Sequence, residues 1–262
     1  MNEFVAEPWK ETLRAARLDG FEALWNLEAN WFESPNRDRG GWSGVMRLEL
    51  PVPAGGSVGM FLKRQENHLV RTPGHPLGEP SCAVEMRNLQ ILQRVGVPSL
   101  EPVYFGQRKV AGKRRALLMT CELRDFRPLD DWTTEWQADG WVRSAKIRRR
   151  LIIKCAAMLS RLHRAGLVHN ALYPKHIFVG LDERGEIDLR LIDLEKMRRR
   201  HGLARRTLRD LDSLNRRSPL WSLTDRLRFL KAYLGVDRLD AAARVTWRRL
   251  AQAYERKAGS HG

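Results

Sequence analysis

The sequence has few cysteines and no long apolar run. Its three cysteines, Cys82, Cys121 and Cys155, are far apart and odd in number, so they predict neither a disulfide framework nor a metal site. No apolar run is long enough to span a bilayer. The first residues, Met1–Phe4, contain neither the basic nor the apolar region of a secretory signal. We therefore expect a cytoplasmic protein whose thiols are buried and reduced.

Acidic residues are also few relative to basic ones. Lys and Arg number 47 against 31 Asp and Glu, which gives a formal net charge of +16. Such a charge attracts nucleic acid, anionic lipid headgroups or an acidic sugar, although solvated arginines on helix faces account for part of the excess. No nucleic-acid-binding motif accompanies the charge, so we expect no specific nucleic-acid partner. Basic clusters occur at positions 148–150, 198–200, 205–206 and 216–217.

The composition is that of a globular protein, and the N-terminal part of the sequence predicts strands with one helix. Val58, Met60 and Leu62 alternate along one predicted strand and share one face, with Phe61 and Lys63 on the other. Ser81 is the predicted N-cap of the helix, and Gly96 stops it. We predict strands at 25–33, 42–50, 58–63, 102–106 and 116–121, a polar turn at 34–41, a polar loop at 64–80 and a helix at 81–95.

The second part reads as mostly helical, after a linker at 122–130. We place the boundary there, giving an N-terminal lobe of residues 1–123 and a C-terminal lobe of residues 124–262. Apolar residues repeat at helical spacing through 144–165. We predict a helix at 144–165, a loop at 167–176, paired strands at 177–180 and 187–193, and further helices from about 206 to 256. The expected fold class is α+β.

Several residues in this order have the character of a phosphate or metal site. Gly40, Gly41 and Gly44 form a turn whose backbone amides could approach phosphate oxygens, although any hairpin can carry such glycines. Lys63 and Glu85 lie on a strand and on the following helix, and each alone is typical of a solvated surface. Asp193 ends an apolar strand, where a carboxylate is costly to bury unless it binds something; a turn-capping role is the alternative.

The loop upstream of Asp193 is the most specific feature. It reads His169-Asn170-Ala171-Leu172-Tyr173-Pro174-Lys175-His176 and occupies the place of the kinase loop H-R-D-x-x-x-x-N. With Ile192-Asp193-Leu194 in place of D-F-G, the pattern resembles the lipopolysaccharide core kinase family, and its weak-acid-inducible (InaA-type) branch in particular. Arg209-Asp210-Leu211, beginning a predicted helix, and the helix at 225–234 extend the resemblance over roughly residues 25–235.

This resemblance implies a two-lobed protein-kinase-like fold that uses ATP and Mg²⁺. It implies that Lys63 binds nucleotide phosphates while Glu85 holds the lysine, and that Asp193 and His176 are the metal candidates. His169, Asn170, His176 and Asp193 are the catalytic candidates, and Asp210 is a structural one. Gly40, Gly41, Gly44 and Glu122 complete the candidate nucleotide-binding residues.

The loop departs from an active kinase at Ala171, which falls where the catalytic aspartate should be. Two hypotheses follow. The first is an ATP-dependent kinase that phosphorylates a heptose or Kdo of the lipopolysaccharide inner core, with core oligosaccharide or its lipid-linked precursor as partner, at the cytoplasmic face of the inner membrane. The second is a nucleotide-binding pseudokinase that regulates or scaffolds envelope biogenesis or a stress response. The missing aspartate favours the second, and the retained Lys63, Glu85 and Asp193 favour the first.

Overall fold

The computed structural model describes residues 3–72, 74–138, 140, 145–199 and 204–258, without the side chains of 204–206 and 253–258. Pro73, Ser144, Arg200 and the side chains of Arg205 and Arg206, which belong to predicted features, therefore lie outside the description. Backbone contacts divide the chain into two compact units. The first unit contains Met1–Ile91 and Leu100–Arg124, and the second contains Leu92–Ser99 and Asp125–Gly262.

The first unit is built on a six-stranded antiparallel sheet with strand order β1-β7-β8-β4-β3-β2. A separate hairpin pairs β5 with β6. The strands, in chain order, are β1 (Glu3–Val5), β2 (Trp31–Asp38), β3 (Gly41–Pro51), β4 (Ser57–Glu66), β5 (Leu69–Thr72), β6 (His75–Pro80), β7 (Pro102–Val110) and β8 (Lys113–Cys121). The helices are α1 (Lys10–Ala15), α2 (Phe21–Asn26) and α3 (Ser81–Arg94).

The core of the first unit lies between the sheet and the two short N-terminal helices. Met60 and Leu62 on β4 are fully buried and belong to one apolar cluster with Leu13 of α1 and Phe21 of α2. The alternation predicted for β4 is therefore confirmed, because these residues share one face of the strand. The helices α1 and α2 were absent from the prediction, since each has only six residues.

The hairpin β2–β3 corrects two predictions. The strand expected at 25–33 begins as the end of α2, and most of the turn expected at 34–41 is strand. The true turn is only Arg39-Gly40, with φ values of 55° and 77°, as a two-residue type I′ hairpin requires. The polar sequence of β2 was misleading because nearly all of this edge strand is exposed and needs no apolar alternation.

The loop predicted at 64–80 is wrong for most of its described residues. Strand β4 continues to Glu66, and β5 pairs with β6 as a hairpin. Pro76 and Pro80 lie in β6 of this two-stranded hairpin, where the missing amide donor is tolerated. The helix predicted at 81–95 is confirmed as α3.

The second unit is mainly helical. The apolar stripe predicted for 144–165 is confirmed in α5, where Leu151, Cys155, Leu159 and Leu162 are buried. The strand pair β11–β12 is confirmed, but the linker expected at 122–130 contains β9 and the start of α4. The elements are β9 (Phe126–Pro128), α4 (Leu129–Ala138), α5 (Ala145–Arg164), β10 (Leu167–Val168), β11 (Ile177–Leu181), β12 (Ile187–Leu191), β13 (Arg198–Arg199), α6 (Ala204–Arg216), α7 (Leu223–Leu234) and α8 (Ala241–Ala258).

The cysteines are free thiols. Cys82 and Cys155 are buried as predicted, whereas Cys121 is half-buried. Burial raises the pKa of Cys121 and of Cys155 to about 12, so both thiols stay protonated at neutral pH. Within the described part of the chain, none of the helices combines the length and the apolar character needed to span a membrane.

A buried arginine ties α2 to the sheet. The Arg64 guanidinium on β4 donates hydrogen bonds to the carbonyl oxygens of Trp25 and, at 3.0 Å, of Leu27. It also lies 4.9 Å from the centroid of the Trp31 ring. These carbonyls are at the end of α2, where the helix leaves its last acceptors without intrahelical donors.

Replacing Arg64 with methionine should therefore destabilise the first unit. The substitution keeps an apolar stem but leaves two carbonyls without their donor, at a cost of about 1–3 kcal/mol each if water does not replace it. Urea unfolding measures the change in the free energy of unfolding. Arg71→Met, at an exposed position of β5, is the matched control. Equal effects from the two substitutions would contradict this role for Arg64.

Candidate functional site

Lys63 and Glu85 form an ion pair within the first unit. Lys63 lies inside β4, between Val45 on β3 and Leu118 on β8, rather than at a strand end as predicted. Its Nζ is 2.9 Å from Oε2 of Glu85 on α3. The side chains are 26% and 9% exposed, so solvent screens the pair less than a surface salt bridge. A lysine held in this way is a positioned cation rather than a mobile one.

The start of α3 is fixed to the strand that carries Lys63. Gln65 of β4 donates from Nε2 to Ser81 Oγ at 2.8 Å and accepts the Cys82 backbone N–H at 3.0 Å. Ser81 was predicted as the N-cap, but it is the first residue of α3, and Gln65 supplies the acceptor for the next amide. These bonds set the position of Glu85 one turn later. Sequence reasoning missed Gln65, although it lies two residues after Lys63 on the same strand face.

Backbone conformation and close packing explain why glycine occupies the three positions of the predicted phosphate turn. Gly40 supplies a positive φ in the hairpin turn. A Cβ on Gly41 would lie 2.1 Å from the Glu66 carbonyl oxygen, and one on Gly44 would lie 2.6 Å from the Trp31 ring. Close packing therefore explains Gly41 and Gly44 without a ligand. A phosphate role for the three glycines stays a prediction.

Glu122 follows β8 and is held by Arg47. Arg47 donates to the two carboxylate oxygens at 2.7 and 2.6 Å. These hydrogen bonds hold the pKa of Glu122 below its usual range. The Glu122 backbone N–H donates to the Gly59 carbonyl at 2.9 Å. A Cβ on Gly59 would lie 1.8 Å from Glu122 Oε2, so the carboxylate passes directly over the strand.

In the second unit, the Asp210 carboxylate holds the loop between β10 and β11. Oδ2 accepts the backbone N–H of His169 at 2.6 Å, and Oδ1 accepts that of Asn170 at 2.9 Å. Asp210 is only 2% exposed. It was predicted to begin a helix, but α6 starts at Ala204, and Asp210 lies in its middle. The Asp210 carboxylate therefore projects from the middle of α6 to the loop and does not cap the helix.

Two further residues, both missed from the sequence, support Asp210. His163 on α5 donates from Nε2 to Asp210 Oδ2 at 3.3 Å. Its Nδ1 accepts the Tyr233 hydroxyl proton at 2.8 Å. Burial raises the pKa of Tyr233 to about 12, so this hydroxyl remains a donor at neutral pH. The sequence feature that could have indicated His163 is its position beside Leu159 and Leu162 on the apolar stripe of α5, because a buried polar side chain requires a partner.

His169 and Asn170 connect this loop to the segment around Asp193. His169 is fully buried, and its Nε2–H donates to the Ile192 carbonyl at 2.9 Å. Burial lowers the pKa of His169, which keeps the ring neutral. Asn170 has φ 62° and donates from Nδ2 to the Lys196 carbonyl at 2.8 Å. The two side chains therefore position the backbone on both sides of Asp193.

His176 and Asp193 are brought together as predicted. His176 Nδ1–H donates to the Ala171 carbonyl at 2.8 Å, and this bond orients the ring. Nε2 then lies 3.3 Å from Asp193 Oδ2. Asp193 has a left-handed backbone, with φ 57° and ψ 58°, and its side chain is 38% exposed. The strand expected to reach 193 ends at Leu191, so Asp193 lies on a turn beyond β12.

Ala171 carries no proton acceptor and is 1% exposed. Two carboxylates contact this loop: Asp210 accepts the amides of His169 and Asn170, and Asp193 lies against His176. The space at Ala171 is therefore packed rather than open. Lys175, four residues later in the same loop, is exposed.

Replacing Asp210 with asparagine should loosen this loop. An amide has one acceptor oxygen in place of two, so one buried N–H loses its partner, and the unfolding free energy should fall by about 2–3 kcal/mol. Hydrogen exchange of the His169 and Asn170 amides should accelerate along with that fall. Asp212→Asn, which removes the charge from a pair with Arg216 on the same helix, is the control. Unchanged exchange at both amides would rule out the anchoring role.

The neutral His169 predicts a pH dependence. Its folded pKa lies below the unfolded value of about 6.5, so its stabilising contribution is complete above that pH and is lost as the pH falls. The limiting slope is about 1.4 kcal/mol per pH unit. Urea unfolding from about pH 8 to about pH 5.5 should show a smaller slope in His169→Gln than in the wild type. The same slope in both proteins would contradict the assignment, and His75→Gln, at a half-exposed ring, is the control.

Comparison with known proteins identifies a family that this chain resembles. The sequence model of the lipopolysaccharide kinase (Kdo/WaaP) family matches residues 22–233. Protein InaA of Escherichia coli K12 is 30% identical over 187 residues, which cover 71% of this chain and 82% of InaA. The lipopolysaccharide core heptose(I) kinase WaaP of Pseudomonas aeruginosa is 27% identical over 186 residues, which cover 66% of this chain and 69% of that kinase.

A solved structure is similar over the whole chain. The structure of WaaP in complex with acyl carrier protein matches with a TM-score of 0.70 and 25% identity, and the match covers 99% of each chain. This likeness confirms the predicted kinase-like α+β fold. Together with the family match over most of the sequence, it shows that the chain belongs to the lipopolysaccharide kinase (Kdo/WaaP) family.

Proposed function

We propose that this protein transfers the γ-phosphate of ATP to a hydroxyl of a heptose or Kdo in the lipopolysaccharide inner core. The observation that carries the proposal is the pair of preorganised contacts in a member of a lipopolysaccharide kinase family. Lys63 is paired with Glu85 at 2.9 Å, and Asp193 lies 3.3 Å from a ring that is itself oriented. Transfer of a phosphoryl group depends mainly on positioning and electrostatic stabilisation, and these contacts supply both.

Asp193 suits a magnesium ion that also binds ATP. Magnesium prefers carboxylate oxygen and commonly takes only one or two carboxylates, with the rest of its shell from water and phosphate. Among the described residues, no group of three or more His, Cys, Asp or Glu side chains forms a complete metal cage. The partly exposed Asp193 carboxylate fits this shared coordination, whereas the His176 imidazole is a poor magnesium ligand and is better placed to orient Asp193. When bound, the ion would neutralise charge on the phosphate oxygens.

The remaining candidates have supporting roles in this proposal. Lys63, fixed by Glu85, binds the nucleotide phosphates, and the backbone amides near Gly40, Gly41 and Gly44 cover them. Glu122 contributes through the backbone segment that Arg47 and Gly59 hold in place. Asp210 keeps the loop of His169 and Asn170 in register with Asp193.

Ala171 leaves the acceptor hydroxyl without the usual aspartate. In a loose transition state the attacking oxygen bonds weakly, so a general base contributes less than the metal and the lysine. The exposed side chains of Asn170 and Lys175 flank this part of the loop and are the available groups for orienting the hydroxyl. We therefore propose slow transfer that relies on positioning.

The second candidate function is a nucleotide-binding pseudokinase that regulates or scaffolds envelope biogenesis or a stress response. The observation that favours it is the burial of Ala171, which gives no room for an acceptor-orienting carboxylate at that position. Both candidates bind nucleotide through Lys63 and Asp193. Only the first transfers phosphate.

The proposed partners follow from charge and family. Core oligosaccharide or its lipid-linked precursor is acidic, and the net charge of +16 suits it and the anionic cytoplasmic face of the inner membrane. Because a WaaP structure is a complex with acyl carrier protein, we add that protein as a proposed partner. We propose a cytoplasmic protein that associates peripherally with the membrane.

Nucleotide binding should stabilise the fold. At a Mg·ATP concentration of a hundred times Kd, the gain in unfolding free energy is about 2.7 kcal/mol, which raises the melting temperature. Lys63→Ala and Asp193→Ala should lose this shift. Lys109→Ala, at an exposed position of β7, and Asp188→Ala, on β12 with a side chain 51% exposed, are matched controls that should retain it. A wild type without any shift would eliminate both candidate functions.

A test of phosphate transfer distinguishes the kinase from the pseudokinase. Purified protein, ATP and deacylated inner-core oligosaccharide should yield a product heavier by one phosphate, detected by mass spectrometry. Asp193→Ala should abolish the product, and Asp188→Ala should not. If ATP binds but the mass of every oligosaccharide in a panel of core acceptors stays unchanged, the pseudokinase is correct.

A further inference from the structure

Arg217 is held over the loop that leads to His176. It follows the last residue of α6, and its guanidinium carbon lies 4.0 Å from the centroid of the Tyr173 ring. The Tyr173 ring is in turn 5.2 Å from the His176 ring, which contacts Asp193.

Arg217 comes after Asp193 in the chain, 41 residues beyond His176, and it belongs to neither of the sequence motifs that define the loop and the Asp193 turn. A series of contacts therefore links Asp193, through the rings of His176 and Tyr173, to an arginine from a different element.

The charge of Arg217 is not neutralised by a carboxylate of the described residues. Its neighbour Arg216 pairs with Asp212 at 2.9 Å, whereas Arg217 is exposed and its side chain contacts the Tyr173 ring. Lys175, between Tyr173 and His176, is also exposed and has no ion pair in the described part of the chain. Two cations without carboxylate partners therefore flank Tyr173.

A cation at the end of a helix is also expected without any ligand, because it complements the helix dipole. Arg216 already places a cation in the last turn of α6. Stacking on Tyr173 additionally fixes the plane of the Arg217 guanidinium while its N–H groups stay accessible to solvent. A planar, preorganised guanidinium binds carboxylate and phosphate groups in a bidentate manner at a reduced entropy cost.

We propose that Arg217, Tyr173 and Lys175 form an anion site for the acidic group, a carboxylate or a phosphate ester, of the sugar acceptor. The inference rests on the proposed function and names the chemistry that selects its substrate. The proposed function assigns the transferred phosphate to the metal at Asp193, so the anion at Arg217 is a separate group of the acceptor. The site therefore discriminates acceptors that carry a carboxylate or a phosphate ester from neutral oligosaccharides.

Binding measured without turnover tests the site. Isothermal titration calorimetry with deacylated inner-core oligosaccharide should show Arg217→Gln binding about ten- to a hundredfold more weakly than the wild type, the loss expected for a charge-assisted contact. The Mg·ATP melting shift of Arg217→Gln should stay unchanged. Arg238→Gln, an equal loss of charge at an exposed position between α7 and α8, should bind like the wild type.

Further variants and modified ligands identify the contact. Tyr173→Phe keeps the ring and should retain affinity, whereas Tyr173→Leu should lose part of it. Oligosaccharide with reduced carboxyl groups and oligosaccharide with its phosphates removed distinguish the two anions. The modification that removes the bound group should make the wild type bind as weakly as Arg217→Gln.

Three results would overturn the inference. The first is that Arg217→Gln binds the oligosaccharide as tightly as the wild type. The second is that Arg217→Gln loses the Mg·ATP melting shift, which would assign Arg217 to the nucleotide. The third is that the wild type does not bind the oligosaccharide. The proposed function fails separately, if the wild type binds the oligosaccharide through Arg217 but transfers no phosphate to it.

Discussion

The buried carboxylate of Asp210 accepts two consecutive backbone amides of the loop and a proton from His163. A charged acceptor satisfies buried amides more strongly than a neutral one, and its own burial is offset because three donors surround it. The loop that it holds presents His169 to the Ile192 carbonyl and His176 to Asp193. The position of Asp193 therefore depends on a residue in the middle of α6.

In the first unit, Lys63 is also held in a fixed orientation, but by different residues. A lysine inside a strand is held by a nearly buried glutamate, and Gln65 fixes the helix that carries the glutamate. Both units thus present a charged group in a set orientation. This arrangement suits the proposed phosphoryl transfer, in which positioned charges contribute more than covalent chemistry. The proposed slow transfer is therefore compatible with an alanine at position 171.

The sequence predicted the long elements and the residue pairs that follow a known motif. The α5 stripe, α3, β4 and the pairing of Lys63 with Glu85 could be anticipated because apolar period and motif order agree there. The edge strand β2 could not, because an exposed strand needs no apolar alternation. The hairpin β5–β6 could not, because the prolines and glycine of β6 are typical of a loop. His163, Tyr233 and Gln65 were missed because their partners are distant in sequence, and Arg217 was noted only as part of a basic cluster.

We propose that Asp193, beside the His176 ring on the anchored loop, binds the metal–nucleotide complex. Manganese can replace magnesium as a paramagnetic probe, so nitrogen NMR of the histidine rings with Mn·ATP tests this claim most directly. We expect selective broadening of the His176 ring signals, which Asp193→Ala abolishes. Sharp His176 signals in a protein saturated with Mn·ATP would contradict it.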